Sequence, residues 1–236
     1  MQLFICPRFR ISGAQMLIQD AWELVLQLRK VLRAQKGYEC FVQSEKAEER
    51  FHIALENWTD KEITAQILER IPAPQQRKKV WMLIALPNKQ EKLELIVQKL
   101  TEIWISSLFF WASERSVLKS LNENKIARLH KIVKEAAEQS WSWEIPSFHL
   151  VENMKSLAQE WSFVIFDLPQ TGSQLWVNDI QKSDLPFLGV IWPEGGLTSN
   201  DYHSFGEQMQ VVSLGEQVLR METAAIISAW NLKNIS

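Results

Sequence analysis

Glycine is scarce in this chain of 236 residues: there are 8, against 11 tryptophans. Ordinary usage of about 7% would give about 16 glycines in a chain of this length. Only 2 cysteines are present, and Cys6 and Cys40 form neither a CxxC pair nor a dense framework. That excludes a disulfide scaffold and reads as two reduced, buried thiols. No apolar run approaches the roughly 18 residues that cross a bilayer, and the start, MQLFICPRFR, lacks the long apolar stretch of a secretory signal. The expectation is a cytoplasmic protein with no membrane partner. His52, His130, His149 and His203 are too dispersed for ligand spacing, so no metal is expected. The chain also lacks GxGxxG, GxxxxGK(S/T), GxSxG and HExxH. Ordinary dinucleotide-binding, P-loop, hydrolase-elbow and zincin chemistries are thereby set aside.

What is there is a balanced soluble composition, 46% hydrophobic and 23% charged, with a net charge of −2. Disordered, collagen-like and coiled-coil classes do not fit it. The balance hides a gradient. Residues 1–73 carry 10 basic and 10 acidic side chains, residues 74–155 carry 13 and 9, and residues 156–236 carry 3 and 9. A basic middle is what phosphate binding needs, although a solvated lysine-rich helix face gives the same count.

Short apolar runs at Leu3–Cys6, Glu39–Val42, Phe51–Leu55 and Glu62–Ile67, with one helix-like stretch from Asp20 to Arg33, predict a small β-rich domain over residues 1–72. The proline-containing, basic stretch from Ile71 to Lys79 breaks both periodicities and reads as a linker. Beyond it, over 73–236, apolar runs alternate with helical periods, the pattern of an α/β domain with a parallel sheet. Strands are predicted at Val80–Leu86, Ile105–Trp111, Phe163–Leu168, Phe187–Ile191 and Gln210–Leu214. Leu93, Ile96, Val97, Leu100 and Ile103 fall on one helix face, as do Ile126, Leu129, Ile132, Val133 and Ala136. Both faces read as core.

Two segments near the C-terminus carry the glycines that matter. In Ile191-Trp-Pro-Glu-Gly-Gly-Leu-Thr198 a strand runs into a turn, and Thr198-Ser-Asn-Asp201 is a capping pattern that opens a helix. In Val212-Ser-Leu-Gly-Glu-Gln-Val-Leu-Arg-Met-Glu-Thr-Ala-Ala225 a strand again meets a glycine turn before a helix of small residues. Each alone fits a plain structural turn better than a ligand loop.

Together these segments resemble the RsmE-type 16S rRNA uracil-N3 methyltransferases of the SPOUT superfamily, whose blocks GPEGG and LGxxxLRxETA appear here as WPEGG at 192–196 and LGEQVLRMETA at 214–224. Further blocks agree in order: Leu28-Arg-Lys-Val-Leu-Arg33, Glu91 to Glu102, Ser113-Glu-Arg-Ser116 and Glu135-Ala-Ala-Glu-Gln-Ser140. The resemblance implies a PUA-like RNA-binding β-barrel followed by a SPOUT domain whose last segments thread into a trefoil knot. It further implies a homodimer, S-adenosylmethionine as cofactor, and a uridine in the decoding region of 16S rRNA of the small ribosomal subunit as target. On it, the cofactor-binding residues are Leu168, Trp192, Pro193, Glu194, Gly195, Gly196, Ser213, Leu214, Gly215, Val218 and Leu219. Arg220 and Glu222 are assigned to the target base and its N3 proton, with an Arg–Glu pair orienting the last helix as the competing reading. Arg29, Lys30, Arg33, Arg115 and Gln139 are assigned to RNA, Arg115 because a guanidinium fork suits phosphate. An ion pair of Arg115 with Glu114 or Glu138 is the alternative.

The departures from the family cluster on tryptophan. Trp104, Trp141 and Trp192 stand where the family has glycine, and Ser142 stands where it commonly has arginine. A side chain at 192 is expected to collide with cofactor or distort the turn. One explanation is a diverged, cofactor-defective paralogue that still binds RNA. The other is that UGA codons read as glycine in the cell have been translated as tryptophan, which removes the tryptophan excess and the glycine deficit together. A SPOUT enzyme acting on transfer RNA or on a ribose is a third reading.

Overall fold

The computed structural model describes residues 1–6, 8–46, 48–75, 78–167 and 175–234. Two compact units emerge, Met1–Arg77 with Ala137–Trp143, and Lys78–Ala136 with Glu144–Ser236. A linear cut at 72/73 has no place for the excursion of Ala137–Trp143 into the first unit.

The first unit is built on a six-stranded sheet in the order β1-β4-β5-β6-β3-β2, formed by β1 (Leu3–Ile5), β2 (Phe9–Ser12), β3 (Gln15–Ile18), β4 (Glu39–Gln43), β5 (Glu49–Trp58) and β6 (Ile63–Pro72). All pairings are antiparallel except β1 with β4, giving a barrel-like sheet. The β2–β3 hairpin, which apolar runs did not signal, turns through Gly13 at φ +61. The predicted linker begins too early, because Ile71 and Pro72 still pair with Arg50 and Glu49 at the end of β6. Proline is tolerated there at a strand end, where its missing N–H disrupts least. Helix α1 (Trp22–Lys30), shorter than the predicted stretch, buries Val25 and Leu28 against Phe4, Ile18, Val42, Ile53 and Ile63. Cys6 and Cys40 are both buried and form no disulfide, and burial pushes the Cys40 thiol up to about 12, which keeps it protonated and inert.

Residues Ala137–Trp143 are held in that unit by polar side chains. Arg50 donates to Gln43 Oε1 at 2.8 Å, to Trp141 O at 3.2 Å and to Ser142 O at 3.4 Å. Gln43 Nε2 donates to Ser142 O at 3.0 Å, and the guanidinium lies 4.0 Å from the Trp143 ring centroid. Burial lowers the Arg50 pKa to about 10, still far above neutrality, so it is a cation satisfied by carbonyls and ring faces.

The second unit holds a seven-stranded sheet in the order β11-β13-β10-β12-β7-β8-β9, every pairing parallel. Its strands are β7 (Trp81–Ala85), β8 (Ser107–Trp111), β9 (Ser147–Val151), β10 (Ser162–Asp167), β11 (Leu175–Trp176), β12 (Phe187–Ile191) and β13 (Met209–Ser213). Alternate strand residues enter different cores. Met82, Ile84, Phe110, Val164 and Phe166 pack with α2 (Gln90–Glu102), α3 (Glu123–Gln139) and α6 (Met221–Asn234) through Leu93, Val97, Leu129, Val133, Ala225 and Leu232. Leu83, Phe109, Phe163, Ile165 and Val190 face the other way, onto Met154 of α4 (Met154–Leu157) and Phe205 just after α5 (Ser199–Ser204). Burial on both faces is why these strands read as continuous apolar runs. Each fully buried Phe or Leu contributes about 1.5–3 kcal/mol. Gly189 of β12 lets α6 approach closely, since a Cβ there would lie 2.5 Å from Leu232 Cδ1. Strand β9 was not predicted, because its exposed, half-buried alternation is irregular.

Candidate cofactor and substrate site

The parallel register sets the carboxyl ends of the central strands side by side: Ile191 is level with Ile84, Trp111 with Ala85, and Asp167 with Ser213. Open parallel sheets bind ligands at these ends, and both glycine turns lie there.

After β12, Gly196 N–H closes a turn on Pro193 O at 2.8 Å, and Gly196 takes φ +72, a conformation suited to glycine. Gly195 serves close approach instead: a Cβ there would meet Arg115 Cβ at 3.1 Å. Arg115 Nη1 donates to Gly195 O at 2.7 Å, so this turn holds its guanidinium. Glu194 accepts from Lys92 Nζ at 2.6 Å and from Asn88 N–H at 3.2 Å. Burial alone pushes the Glu194 carboxyl up, but those hydrogen bonds, its own N–H and the Lys92 charge outweigh it and hold the pKa below the usual range. Thr198 and Asp201 form the predicted capping box of α5, and Thr198 also donates to Glu114. Glu114 N–H in turn donates to Asp201 Oδ1 at 3.1 Å.

After β13, the Ser213 hydroxyl accepts from Gly215 N–H at 3.2 Å, and Gly215 takes φ +133. Leu214 and Leu219 are half-buried, whereas Val218 is 76% exposed and Arg220 is exposed. Glu222 lies in the first turn of α6, where its Oε2 is buried without a hydrogen-bond partner among the described residues.

Between these turns lies the end of β10. Trp192 is not among the positive-φ residues, so its backbone accepts a side chain. Its indole N–H donates to Phe166 O, setting the ring against the strand end that the two turns flank. Asp167 accepts a hydrogen bond from the Tyr202 hydroxyl. The predicted Leu168 lies outside the described residues.

Residues 74–233 match the RNA methyltransferase domain family. The chain belongs to the RNA methyltransferase domain family. Over 161 residues, 63% of the chain, it is 34% identical to the ribosomal RNA small subunit methyltransferase E of Bacillus subtilis, and over 178 residues, 70% of the chain, 30% identical to that of Synechocystis. These matches span 62% and 56% of the relatives' own lengths. The fold is similar to that of ribosomal RNA small subunit methyltransferase E from Neisseria gonorrhoeae bound to S-adenosyl methionine, with TM-score 0.81, 22% identity, and 97% and 95% of the two chains covered.

Within this methyltransferase domain, Trp104 takes φ +65 just after α2, with Ile105 N–H bonded to Leu100 O and Trp104 N–H to Thr101 O. That is the Schellman pattern, whose left-handed position is usually glycine. Trp141 repeats it after α3 at φ +56, with Ser142 N–H on Ala137 O. Two of the three tryptophans at which the resemblance leads one to expect glycine thus occupy glycine conformations.

The remaining predicted RNA residues lie in the first unit. Arg29 pairs with Asp60 at 2.6 Å, and Lys30, Arg33 and Gln139 are exposed. Lys92, Asn88, Asp167 and Tyr202 also belong to the site at the strand ends, and no sequence motif assigns them a role there. Lys92 lay within a block already matched to the family, whereas nothing in the sequence pairs Asp167 with Tyr202.

Proposed function

We propose that the chain is a cytoplasmic, homodimeric, S-adenosylmethionine-dependent methyltransferase acting on N3 of a uridine in the decoding region of 16S rRNA, with the last segments threaded into a knot. The observation that carries this reading is the flanking of one strand end, that of β10, by the turns at 193–196 and 213–219. Family membership and the names of the relatives support the reaction class.

The backbone groups of Glu194–Gly196 and Leu214–Leu219 suit a nucleoside cofactor, because Gly215 has no Cβ to fill the cradle. Trp192 suits it only with its indole away from Phe166 O, or with glycine in its place. When bound, the cofactor supplies an electrophilic methyl carbon. The chain's share is then positioning and proton removal. Glu222 offers a buried carboxylate oxygen, unpartnered among the described residues, as acceptor of the uracil N3 proton, and Arg220, two residues earlier, offers a guanidinium to the charge that develops on the uracil carbonyl oxygen. Arg115 and the exposed basic residues Lys30 and Arg33 serve the RNA backbone.

One observation favours a second reading, a cofactor-defective RNA-binding paralogue: Trp192 already uses the Phe166 carbonyl. Incubating the Trp192→Gly chain with unmodified small subunits and S-adenosylmethionine, then mapping reverse-transcription stops, tests the proposal. A new stop at one uridine of the decoding region is expected, because N3 methylation blocks base pairing. Methyl transfer to a transfer RNA or a ribose, or no transfer at all, would overturn it.

A further inference from the structure

The Asp167–Tyr202 hydrogen bond joins the last residue of β10 to α5, across 35 positions of sequence. Asp167 lies one residue beyond Phe166, the last core residue of β10, and the ring of Tyr202 packs against the core around Phe163 and Phe205 while its hydroxyl reaches Asp167. Asp167 is level with Ser213, whose hydroxyl brackets Gly215, and Tyr202 stands on the helix that the 193–196 turn leads into. The pair therefore lies between the two glycine turns.

Its hydrogen-bonding character is one-sided. A tyrosine hydroxyl has a single proton and two acceptor lone pairs, and here that proton is committed to the Asp167 carboxylate, which is acceptor-only when ionised. Burial, followed by the Asp167 bond and charge, pushes the Tyr202 phenol far up, so the proton stays on it at all working pH values. A group placed against Tyr202 Oη must donate. Adenine ring nitrogens and phosphate oxygens, which only accept, are disfavoured; ribose hydroxyls fit.

Resting on the cofactor reading above, we propose that Tyr202, oriented by Asp167, is the acceptor for a ribose hydroxyl of the bound nucleoside. It selects nucleosides with an unsubstituted ribose over ribose-phosphorylated nucleotides. Asp167 is the positioning residue, fixing the orientation of the phenol through their hydrogen bond.

The test is calorimetric titration of the Trp192→Gly chain with S-adenosylhomocysteine and its 2′-deoxy and 3′-deoxy analogues, repeated with Tyr202→Phe and Asp167→Asn added. The parent is expected to bind one deoxy analogue about tenfold more weakly than the ribo form, the scale of one hydrogen bond to a charge-coupled group. Tyr202→Phe, which keeps the ring and its packing, is expected to bind ribo and deoxy forms equally. Asp167→Asn is expected to reduce the discrimination partly. If the parent binds both deoxy analogues as tightly as the ribo form, or if Tyr202→Phe keeps the full discrimination, the inference is overturned while the cofactor reading stands. If the parent binds no S-adenosylhomocysteine, the cofactor reading fails and this inference with it.

Discussion

Lys92 Nζ lies 2.6 Å from Glu194 Oε1, joining the first turns of α2 to the turn after β12 across 102 positions of sequence. With Asn88 N–H on the other oxygen, the carboxylate fixes the turn from outside. The Glu194 carboxyl is held below its ordinary value in the folded chain. Its contribution to stability is therefore complete above the unfolded carboxylate pKa of about 4.3 and is lost as pH falls through the folded value. Glu194→Gln should lower the melting temperature at pH 7 only slightly, the scale of a partly exposed pair being below about 1 kcal/mol. The difference between parent and variant should shrink below pH 4; a difference that grows on acidification would contradict the assignment.

At Trp104 and Trp141 the left-handed backbone costs an L-residue roughly 1–2 kcal/mol that glycine avoids. Glycine loses more chain entropy, and at 104 the change also removes the contact of Lys233 Nζ, 5.0 Å from the ring centroid. Comparing each glycine variant with the alanine variant at the same position isolates the backbone effect. Chemical denaturation should show glycine more stable than alanine by about 1 kcal/mol at 104 and at 141. At Trp192, outside the left-handed region, alanine should equal or exceed glycine. If the tryptophans stand for glycines read from UGA, peptides from the natural source covering 104, 141 and 192 will carry glycine, whereas UGG codons would reject that origin.

Arg115 commits one N–H to Gly195 O and leaves the rest of its fork exposed, which the proposed function gives to RNA. Arg115→Ala should weaken binding of small-subunit RNA fragments and reduce the slope of log affinity against log salt by about one. An unchanged slope in filter-binding titrations would reduce Arg115 to a turn-bracing residue.

The carboxylate of Glu222 has a buried oxygen without a partner among the described residues, an arrangement that costs stability unless function uses it. Glu222→Gln should leave the melting temperature equal or higher while slowing single-turnover methyl transfer by about 10²–10⁴. A full-rate variant would remove Glu222 from proton transfer.

Much of this site was legible because its parts are local. The Thr198–Asp201 box needs residues three apart, and the glycine turns needed only a strand pattern before them. The apolar strands of the second unit could be read because both faces of the sheet are covered. What escaped depends on distant partners. Asp167 and Tyr202 meet only because α5 folds back on the end of β10, and Arg50 reaches Trp141 and Ser142 only once residues 137–143 join the first unit. The β2–β3 hairpin escaped because Arg10, Ser12 and Gln15 interrupt its apolar pattern, and β9 because an edge strand has few buried positions. The glycine deficit was legible as an anomaly, and the backbone angles of Trp104 and Trp141 give it a physical location.

On the proposed function, the strand ends of β10, β12 and β13 form a nucleoside cofactor pocket into which Trp192 intrudes. Calorimetric titration of the parent and Trp192→Gly chains with S-adenosylmethionine tests it most directly. One site per chain is expected in Trp192→Gly, with a Kd between about 1 µM and 1 mM, and binding at least about tenfold weaker in the chain with Trp192. No binding by Trp192→Gly, or equal binding by both chains, would contradict it.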